Sequence, residues 1–111
     1  MSADLNQRKC VPCEGGVVKL QGNELQSYLR EINDRWRVVD EHHLVAEFLF
    51  DNFSFALEFT NQVGQIAEKE GHHPDLCLSW GRVEVKIWTH SIDGLSKNDF
   101  ILAAKIDQMI A

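Results

Sequence analysis

Two adjacent histidines, His72 and His73, stand directly before Pro74 in the stretch EGHHPDLCLSW, and a third, His90, follows further along the chain. An imidazole titrates near neutral pH, so histidine suits proton transfer in catalysis, and it is also a common zinc ligand. Glu68 precedes His72 by one helical turn and could orient an imidazole or raise its pKa through its charge. These residues allow an acid–base site, a metal site or a polar loop without chemistry.

The spacing of these side chains disfavours a metal site. Adjacent residues rarely ligate one ion together, and the i, i+4 histidine pair of a helical zinc site is absent here. The motif Cys10-Val11-Pro12-Cys13 has zinc-like spacing, but Cys77 alone cannot supply the second pair that such a site needs. No predicted strand precedes the motif, which argues against a redox site. We therefore predict no metal and interpret the cysteine pair as part of a solvated tail.

The elements that must position the histidines follow from hydrophobic periodicity and turn residues. A short helix capped by Asn23 precedes two strands, WRVVD and HLVAEFLF, which form a hairpin around EHH. A long helix from about Asn52 to Glu70 ends at Gly71 and carries an apolar stripe. Its stripe comprises Phe53, Ala56, Leu57, Val63, Ile66 and Ala67. A second hairpin, DLCLSW and RVEVKIWTH, then leads to a last helix near Ser96, with Asp99 at capping-box spacing.

The resulting order, α-β-β-α-β-β-α, predicts an α+β fold. We expect a two-layer sandwich in which a four-stranded antiparallel sheet carries three helices on one face. His72 and His73 then follow the end of the long helix, and His90 follows the last strand, where an antiparallel sheet could bring them together. His42 and His43 lie in the first hairpin turn and are interpreted as polar turn residues. Residues 1–21 are predicted to be a flexible arm and residues 22–111 a single domain.

Composition and charge limit the classes of partner. The 111 residues include 17 acidic and 11 basic side chains, and this net charge of −6 disfavours nucleic acid and an anionic membrane surface. No stretch approaches the roughly 18 apolar residues of a membrane span, and the start lacks a signal-like apolar region, so we expect a cytoplasmic protein. In the second strand Val45 and Leu49 face away from the predicted core. They favour a homodimer or homotetramer that covers them.

The stretches EKEGHHPDLCLSW and THSIDGLSKND resemble the signature of the pterin-4a-carbinolamine dehydratase family. The resemblance extends from about Asn23 to the C-terminus, and CVPCEGG in the arm is similar to bacterial members. The positions that match the family signature are Glu68, His72, His73, Pro74, Trp80, His90 and Asp99.

The resemblance implies a hydro-lyase that dehydrates 4a-hydroxytetrahydrobiopterin to the quinonoid dihydropterin. It implies that His72 and His90 act as acids on the hydroxyl group, while His73 binds the pterin and assists as base. Glu68 and Asp99 would support these imidazoles through hydrogen bonds. Pro74 would fix the chain direction after the histidine pair. No metal or redox cofactor is implied.

The family also suggests partners and alternative roles. Its members form dimers and tetramers, and they recycle the pterin cofactor of aromatic amino-acid hydroxylases. One alternative is a pterin-related role in molybdenum cofactor metabolism. Another is a protein-binding module, since animal members serve as a dimerisation cofactor of a homeodomain transcription factor. The sequence leaves these alternatives open, although an intact histidine set favours catalysis.

Overall fold

Over the described residues, 5–8, 10 and 18–110, the computed structural model has seven main elements in the predicted order. Two short 3₁₀ turns, Leu5–Gln7 and His90–Ile92, lie outside them. The main elements are α1 (Gly22–Leu29), β1 (Arg37–Val39), β2 (His43–Leu49), α2 (Phe53–Glu70), β3 (Asp75–Ser79), β4 (Arg82–Ile87) and α3 (Lys97–Met109). The predicted α+β sandwich, with a four-stranded antiparallel sheet and three helices on one face, is confirmed for this part of the chain.

The sheet has the order β1-β2-β4-β3, which the sequence had not revealed. Both hairpins are antiparallel, and the central contact pairs β2 with β4, placing Leu44 opposite Ile87 and Phe48 opposite Val83. Strict alternation along β4 sends its apolar side chains inward, where Val83, Val85 and Ile87 are fully buried. The other face is charged: Arg82 bonds Glu47 of β2 and Glu84 of its own strand. The helices therefore cover the apolar face only.

Helix α2 begins and ends as predicted, and its end sets the direction of the chain into the histidine pair. The side chain of Asn52 accepts a hydrogen bond from the Phe55 N–H at 2.8 Å, which caps the first turn. Gly71 adopts the left-handed conformation at φ 66°, and the His72 N–H returns to the Ala67 carbonyl at 3.1 Å. Its buried stripe consists of Ala56, Phe59, Val63 and Ala67, whereas the predicted stripe members Phe53 and Leu57 are exposed.

Helix α3 forms the centre of the core. It begins after Ser96 as predicted, and the Ser96 N–H donates to Asp99 Oδ2 at 2.8 Å, as in a capping box. Near its end Asp107 accepts a hydrogen bond from Trp36 Nε1 at 2.9 Å, which joins the helix to the entry of β1. The side chains that α3 buries are Asn98, Asp99, Phe100, Ile101, Leu102, Ala103, Ala104 and Ile106.

Two predictions about single residues are wrong. Helix α1 starts at Gly22 with Gln21 as N-cap, because Gly22 at φ 57° turns the chain into the helix before the predicted cap, Asn23. Val45, expected to need cover from another subunit, is only 7% exposed within the single chain. On the outer face it stands between its cross-strand neighbours Arg37 and Lys86. Leu49, the other residue of that argument, is 73% exposed.

The described part of the predicted arm packs against the domain. Leu5 is 3% exposed and belongs to the main hydrophobic cluster. Cys10 is half-buried rather than solvated: its N–H donates to Glu70 Oε1 at 2.9 Å, and its thiol lies 3.5 Å from the carbonyl of Asn98. Cys13 falls outside the described residues. The division into an arm over 1–21 and a domain over 22–111 stays a prediction.

Over the residues that the structure describes, no helix combines the length and the apolar composition that a membrane crossing needs.

Candidate active site

The innermost group of the site is a buried pair, His72 and Asp99. His72 follows the C-terminal glycine of α2, and Asp99 lies in the first turn of α3. The His72 Nε2 atom lies 2.5 Å from Asp99 Oδ1, and the two side chains are 8% and 0% exposed. Since an ionised carboxylate only accepts hydrogen bonds, Nε2 carries the proton and Nδ1 is left as the second functional nitrogen of His72.

A short hydrogen-bonded chain holds the Asp99 carboxylate in place. Its Oδ2 atom accepts from the Thr89 hydroxyl at 2.8 Å and from the Ser96 N–H at 2.8 Å. The Thr89 oxygen in turn lies 2.8 Å from the Ser96 hydroxyl, which must donate because the Thr89 proton is already committed to the carboxylate. The capping box of α3 thus fixes the carboxylate that orients His72. Sequence spacing indicated the capping role of Asp99, while Thr89 was missed.

His73 has a separate partner. Its Nε2 atom forms a short hydrogen bond with Glu68 Oε2, one turn back on α2, and both side chains are exposed. The prediction that Glu68 could orient an imidazole is consistent with this contact. The left-handed turn at Gly71 sends the two neighbouring rings to different carboxylates, one buried and one in solvent. Solvent screening makes the exposed pair the weaker of the two.

His90 reaches the same place from the end of β4, since the start of β3 pairs with the end of β4 in the register Asp75 to Lys86. It opens the 3₁₀ turn after β4, and its ring packs against Trp88 with the ring centroids 4.3 Å apart. Together the histidines border an open cleft of about 230 Å³. The cleft is lined by Gly71, His72, His73, Trp88, Thr89, His90 and Ser91. The structure therefore brings together the imidazoles that lie apart in the sequence.

Two further residues of the signature do not contribute side chains to the cleft lining. Pro74 directly precedes β3 and links the histidine pair to the sheet. Trp80 is 68% exposed in the turn between β3 and β4, at the end of these strands away from the cleft. Trp88 lies outside the signature, and only its position beside His90 reveals it as part of the cleft.

The arrangement fits proton transfer better than metal binding. Across the described residues, no group of three or more His, Cys, Asp or Glu side chains could hold a metal ion. The Nε2 atoms of His72 and His73 are both occupied by carboxylates. Each ring therefore has one remaining nitrogen, and the buried carboxylate fixes the orientation of the ring it holds.

Comparison with known sequences relates the whole chain to one family. A family model described as pterin 4 alpha carbinolamine dehydratase matches residues 18–109. A relative from Alkaliphilus metalliredigens is 50% identical over 105 residues, covering 95% of this chain and 95% of the relative. A relative from Rubrobacter xylanophilus is 50% identical over 107 residues, covering 96% of this chain and 99% of the relative. Both relatives are named after that dehydratase.

Comparison with solved structures relates the fold to the same family. A crystal structure from Brucella melitensis, described as a transcriptional coactivator/pterin dehydratase, superposes with a TM-score of 0.78 at 33% identity. The match covers 85% of this chain and all of the Brucella chain. A pterin dehydratase-like protein, described as a RuBisCO assembly factor in the alpha-carboxysome, matches with a TM-score of 0.59 at 18% identity over 69% of this chain and 90% of its own. The second likeness concerns the fold alone.

Proposed function

The chain belongs to the pterin-4a-carbinolamine dehydratase family, and from that membership we propose that it dehydrates 4a-hydroxytetrahydrobiopterin to the quinonoid dihydropterin. In this reaction the bond between C4a and the hydroxyl oxygen breaks, and the oxygen leaves as water after gaining a proton. The proton on N5 is lost and a C4a–N5 double bond forms. The chemistry needs an acid, a base and a surface that holds the pterin.

The observation that carries the proposal is the buried His72–Asp99 pair at the base of the cleft. A carboxylate behind an imidazole fixes the orientation of the ring and stabilises its protonated form, which is the form that a general acid needs. With Nε2 held by Asp99, His72 would give its proton from Nδ1 to the departing hydroxyl. Water then leaves as a neutral molecule, and the now neutral His72 keeps its Nε2–H hydrogen bond to Asp99 until it is reprotonated from solvent.

His90 and His73 take the remaining roles. His90 lines the same cleft from the turn after β4, whereas the other two follow α2, and it would act as the second acid on the hydroxyl. His73, paired with the solvent-exposed Glu68, would contact the pterin ring and accept the N5 proton. An exposed base can pass that proton to water, so each turnover can end with the original protonation states.

The physiological setting proposed here is the recycling of the pterin cofactor of an aromatic amino-acid hydroxylase in the cytoplasm. A second candidate is a protein-binding role, which the description of the Brucella structure as a transcriptional coactivator favours. In that case residues on the outer surface, not the cleft histidines, would carry function. A pterin-related role in molybdenum cofactor metabolism would use the same cleft. Comparing the rates with different pterin substrates would distinguish that role from hydroxylase cofactor recycling.

The test is the dehydration rate of chemically prepared 4a-hydroxytetrahydropterin, followed by absorbance with wild type and three variants. His72→Ala and His90→Ala should each lower kcat by about a hundredfold to ten-thousandfold and leave a remnant, since the other imidazole persists. His73→Ala should raise KM as well as lower kcat, because its assigned role includes contact with the ring. Glu58→Gln, an exposed change on α2 outside the cleft lining, is the matched control.

Wild-type kinetics in His72→Ala and His90→Ala would overturn the catalytic assignment. Activity that disappears with a chelator and returns with zinc would replace the metal-free mechanism by one with a histidine-bound ion. The protein-binding candidate would be favoured by two results together: the wild type does not dehydrate the pterin, and all three variants bind a protein partner as the wild type does.

A further inference from the structure

The first hairpin turn contacts the segment that carries His90. His42, at the end of that turn, places its Nε2 atom 2.7 Å from Asp93 Oδ1, although the two residues are 51 positions apart. Since a carboxylate only accepts, His42 Nε2 is the donor in this contact. Asp93 is the C-terminal cap of the 3₁₀ turn that begins at His90. The contact thus ties the β1–β2 turn to the far end of the His90 turn.

The same His42 ring also contacts Trp88, two positions before His90. Its centroid lies 5.5 Å from the Trp88 indole, and the Trp88 indole lies 4.3 Å from the His90 imidazole. Such spacings are those of favourable ring contacts. His42 therefore contacts one residue on each side of His90 in the sequence: Trp88 before it and Asp93 after it. We call His42, Trp88 and Asp93 the clamp.

The turn that carries His90 is closed at its two ends by backbone pairing, so only the residues between those ends need a further contact to hold them. The Thr89 N–H donates to the Gly94 carbonyl at 2.8 Å, which joins the two ends of the turn. Asp93 adopts a left-handed conformation at φ 49°, which Asp tolerates better than most residues with a side chain. Rotation of the turn about its base would move His90 away from the cleft.

His43 contacts two of the clamp residues, His42 and Trp88. Its Nδ1 atom lies 3.0 Å from His42 Nδ1, and its ring is 6.2 Å from that of Trp88. Burial lowers the pKa of His43, and the charges of Lys86 and His42 lower it further. The hydrogen bond from His42 likewise lowers the pKa of Asp93. With His43 neutral and Asp93 ionised, both ring nitrogens of His42 have a hydrogen-bond partner: His43 at Nδ1 and Asp93 at Nε2.

We propose that His42 is a positioning residue for His90, acting through Asp93 and Trp88 to hold the 3₁₀ turn against the cleft. The inference rests on the proposed function in one respect only: it takes His90 to be one of the acids of the dehydration. His42 itself does not line the cleft and is not a catalytic residue. His42, interpreted from the sequence as a polar turn residue, thus has a role in the site.

The test combines kinetics with the ring signals of His90 in the ¹H–¹³C NMR spectrum. His42→Ala should shift the His90 signals and lower kcat by about threefold to tenfold with little change in KM, because a misplaced acid acts less often on a bound substrate. His42→Gln should restore both readouts in large part, since its amide can donate to Asp93 from a similar position. Asp93→Ala should match His42→Ala, and the double variant should be no worse than either.

The matched control is Glu41→Asn, which changes an exposed neighbour in the same turn and keeps a residue that tolerates the left-handed conformation there, φ 52°. Unchanged His90 signals in His42→Ala would overturn the inference. Additive losses in the double variant would do the same, because they would mean that His42 and Asp93 act separately. If the wild type shows no dehydration, the proposed function fails, yet the His90 signals still decide whether His42 positions the turn.

Discussion

At the scale of single residues, the histidines of the cleft differ in what stands behind each ring. His72 is backed by a buried carboxylate, His73 by an exposed one and His90 by an indole. A partner in a low-dielectric interior acts more strongly on an imidazole than one in solvent does. We therefore expect the buried Asp99 to matter more for activity than the exposed Glu68.

Replacing Asp99 by Asn tests this expectation. The amide keeps the size of the side chain but can donate as well as accept, so it no longer enforces a proton on His72 Nε2. We expect Asp99→Asn to lower kcat by about a hundredfold or more and the free energy of unfolding by about 1–3 kcal/mol. Steady-state kinetics and urea denaturation measure the two effects.

Asp107→Asn is the matched control on the same helix. Asp107 also accepts hydrogen bonds, but from Trp36 Nε1 at 2.9 Å and the Asn33 N–H at 3.0 Å, neither of which lines the cleft. The Asp107→Asn variant should lower the free energy of unfolding by a comparable amount, and its folded form should keep the kcat of the wild type. Equal losses of kcat in both variants would mean that Asp99 acts through stability alone.

Sequence reasoning at this scale identified residues but not their pairings. The histidines and Glu68 were named from their types and spacing, whereas spacing gave Asp99 a capping role and the family resemblance implied its support of the imidazoles. The partner of each ring depends on the left-handed turn at Gly71 and on the packing of α3 against α2, which are tertiary features. The contact between His42 and Asp93 spans 51 positions, and no local pattern indicates it.

At the scale of elements, the strongest local signals gave the most accurate predictions. Helix α2 has a side-chain cap at Asn52 and a glycine stop at Gly71, and both of its ends were predicted. The strands of the second hairpin alternate in hydrophobicity and were predicted for the same reason. Helix α1 lacks a side-chain cap, and its start was misplaced. Leu5 is one apolar residue in a polar segment, and that signal is too weak to predict that it packs against the domain.

The packed turn at Leu5 makes the status of the N-terminal segment testable. Leu5 is 3% exposed within the main cluster, and its turn contacts α3. Truncating a buried leucine leaves a cavity and loses apolar contacts, so Leu5→Ala should lower the free energy of unfolding by about 2–4 kcal/mol. Chemical denaturation of the full chain measures the difference.

Val18→Ala is the comparison for that experiment, because Val18 is 68% exposed in the same N-terminal region. We expect its effect to stay within about 0.5 kcal/mol of the wild type. If Leu5→Ala were equally silent, the segment would be the flexible arm predicted for residues 1–21, and its packing would contribute nothing to stability.

At the scale of the whole molecule, one end of the sheet exposes apolar side chains. Leu49 ends β2 and is 73% exposed, and Trp80 in the β3–β4 turn is 68% exposed. Leu49 pairs with Arg82, and the Phe50 N–H donates to the Gly81 carbonyl at 2.8 Å, so this turn lies beside the end of β2. Two exposed apolar residues near each other favour association with a second copy.

We expect the protein to be a dimer or a tetramer at micromolar concentration, as measured by sedimentation. Leu49→Asp places a charge in the expected contact and should weaken association by at least about tenfold. Gln65→Asp adds the same charge at an exposed position on α2 and serves as the comparison. A wild type that sediments as a monomer would contradict the expectation.

The position of α3 at the centre of the core has a consequence for biosynthesis. A chain leaves the ribosome from its N-terminus at about 5–20 residues per second, so β2 waits roughly 2–7 s for its sheet partner β4. During that interval α2 and β3 emerge, but β2 still lacks its central neighbour in the sheet, and such transiently unpaired strand edges promote aggregation. Asp99 arrives later still. A nascent chain that stops before α3 would contain every histidine of the cleft and lack the carboxylate that holds His72.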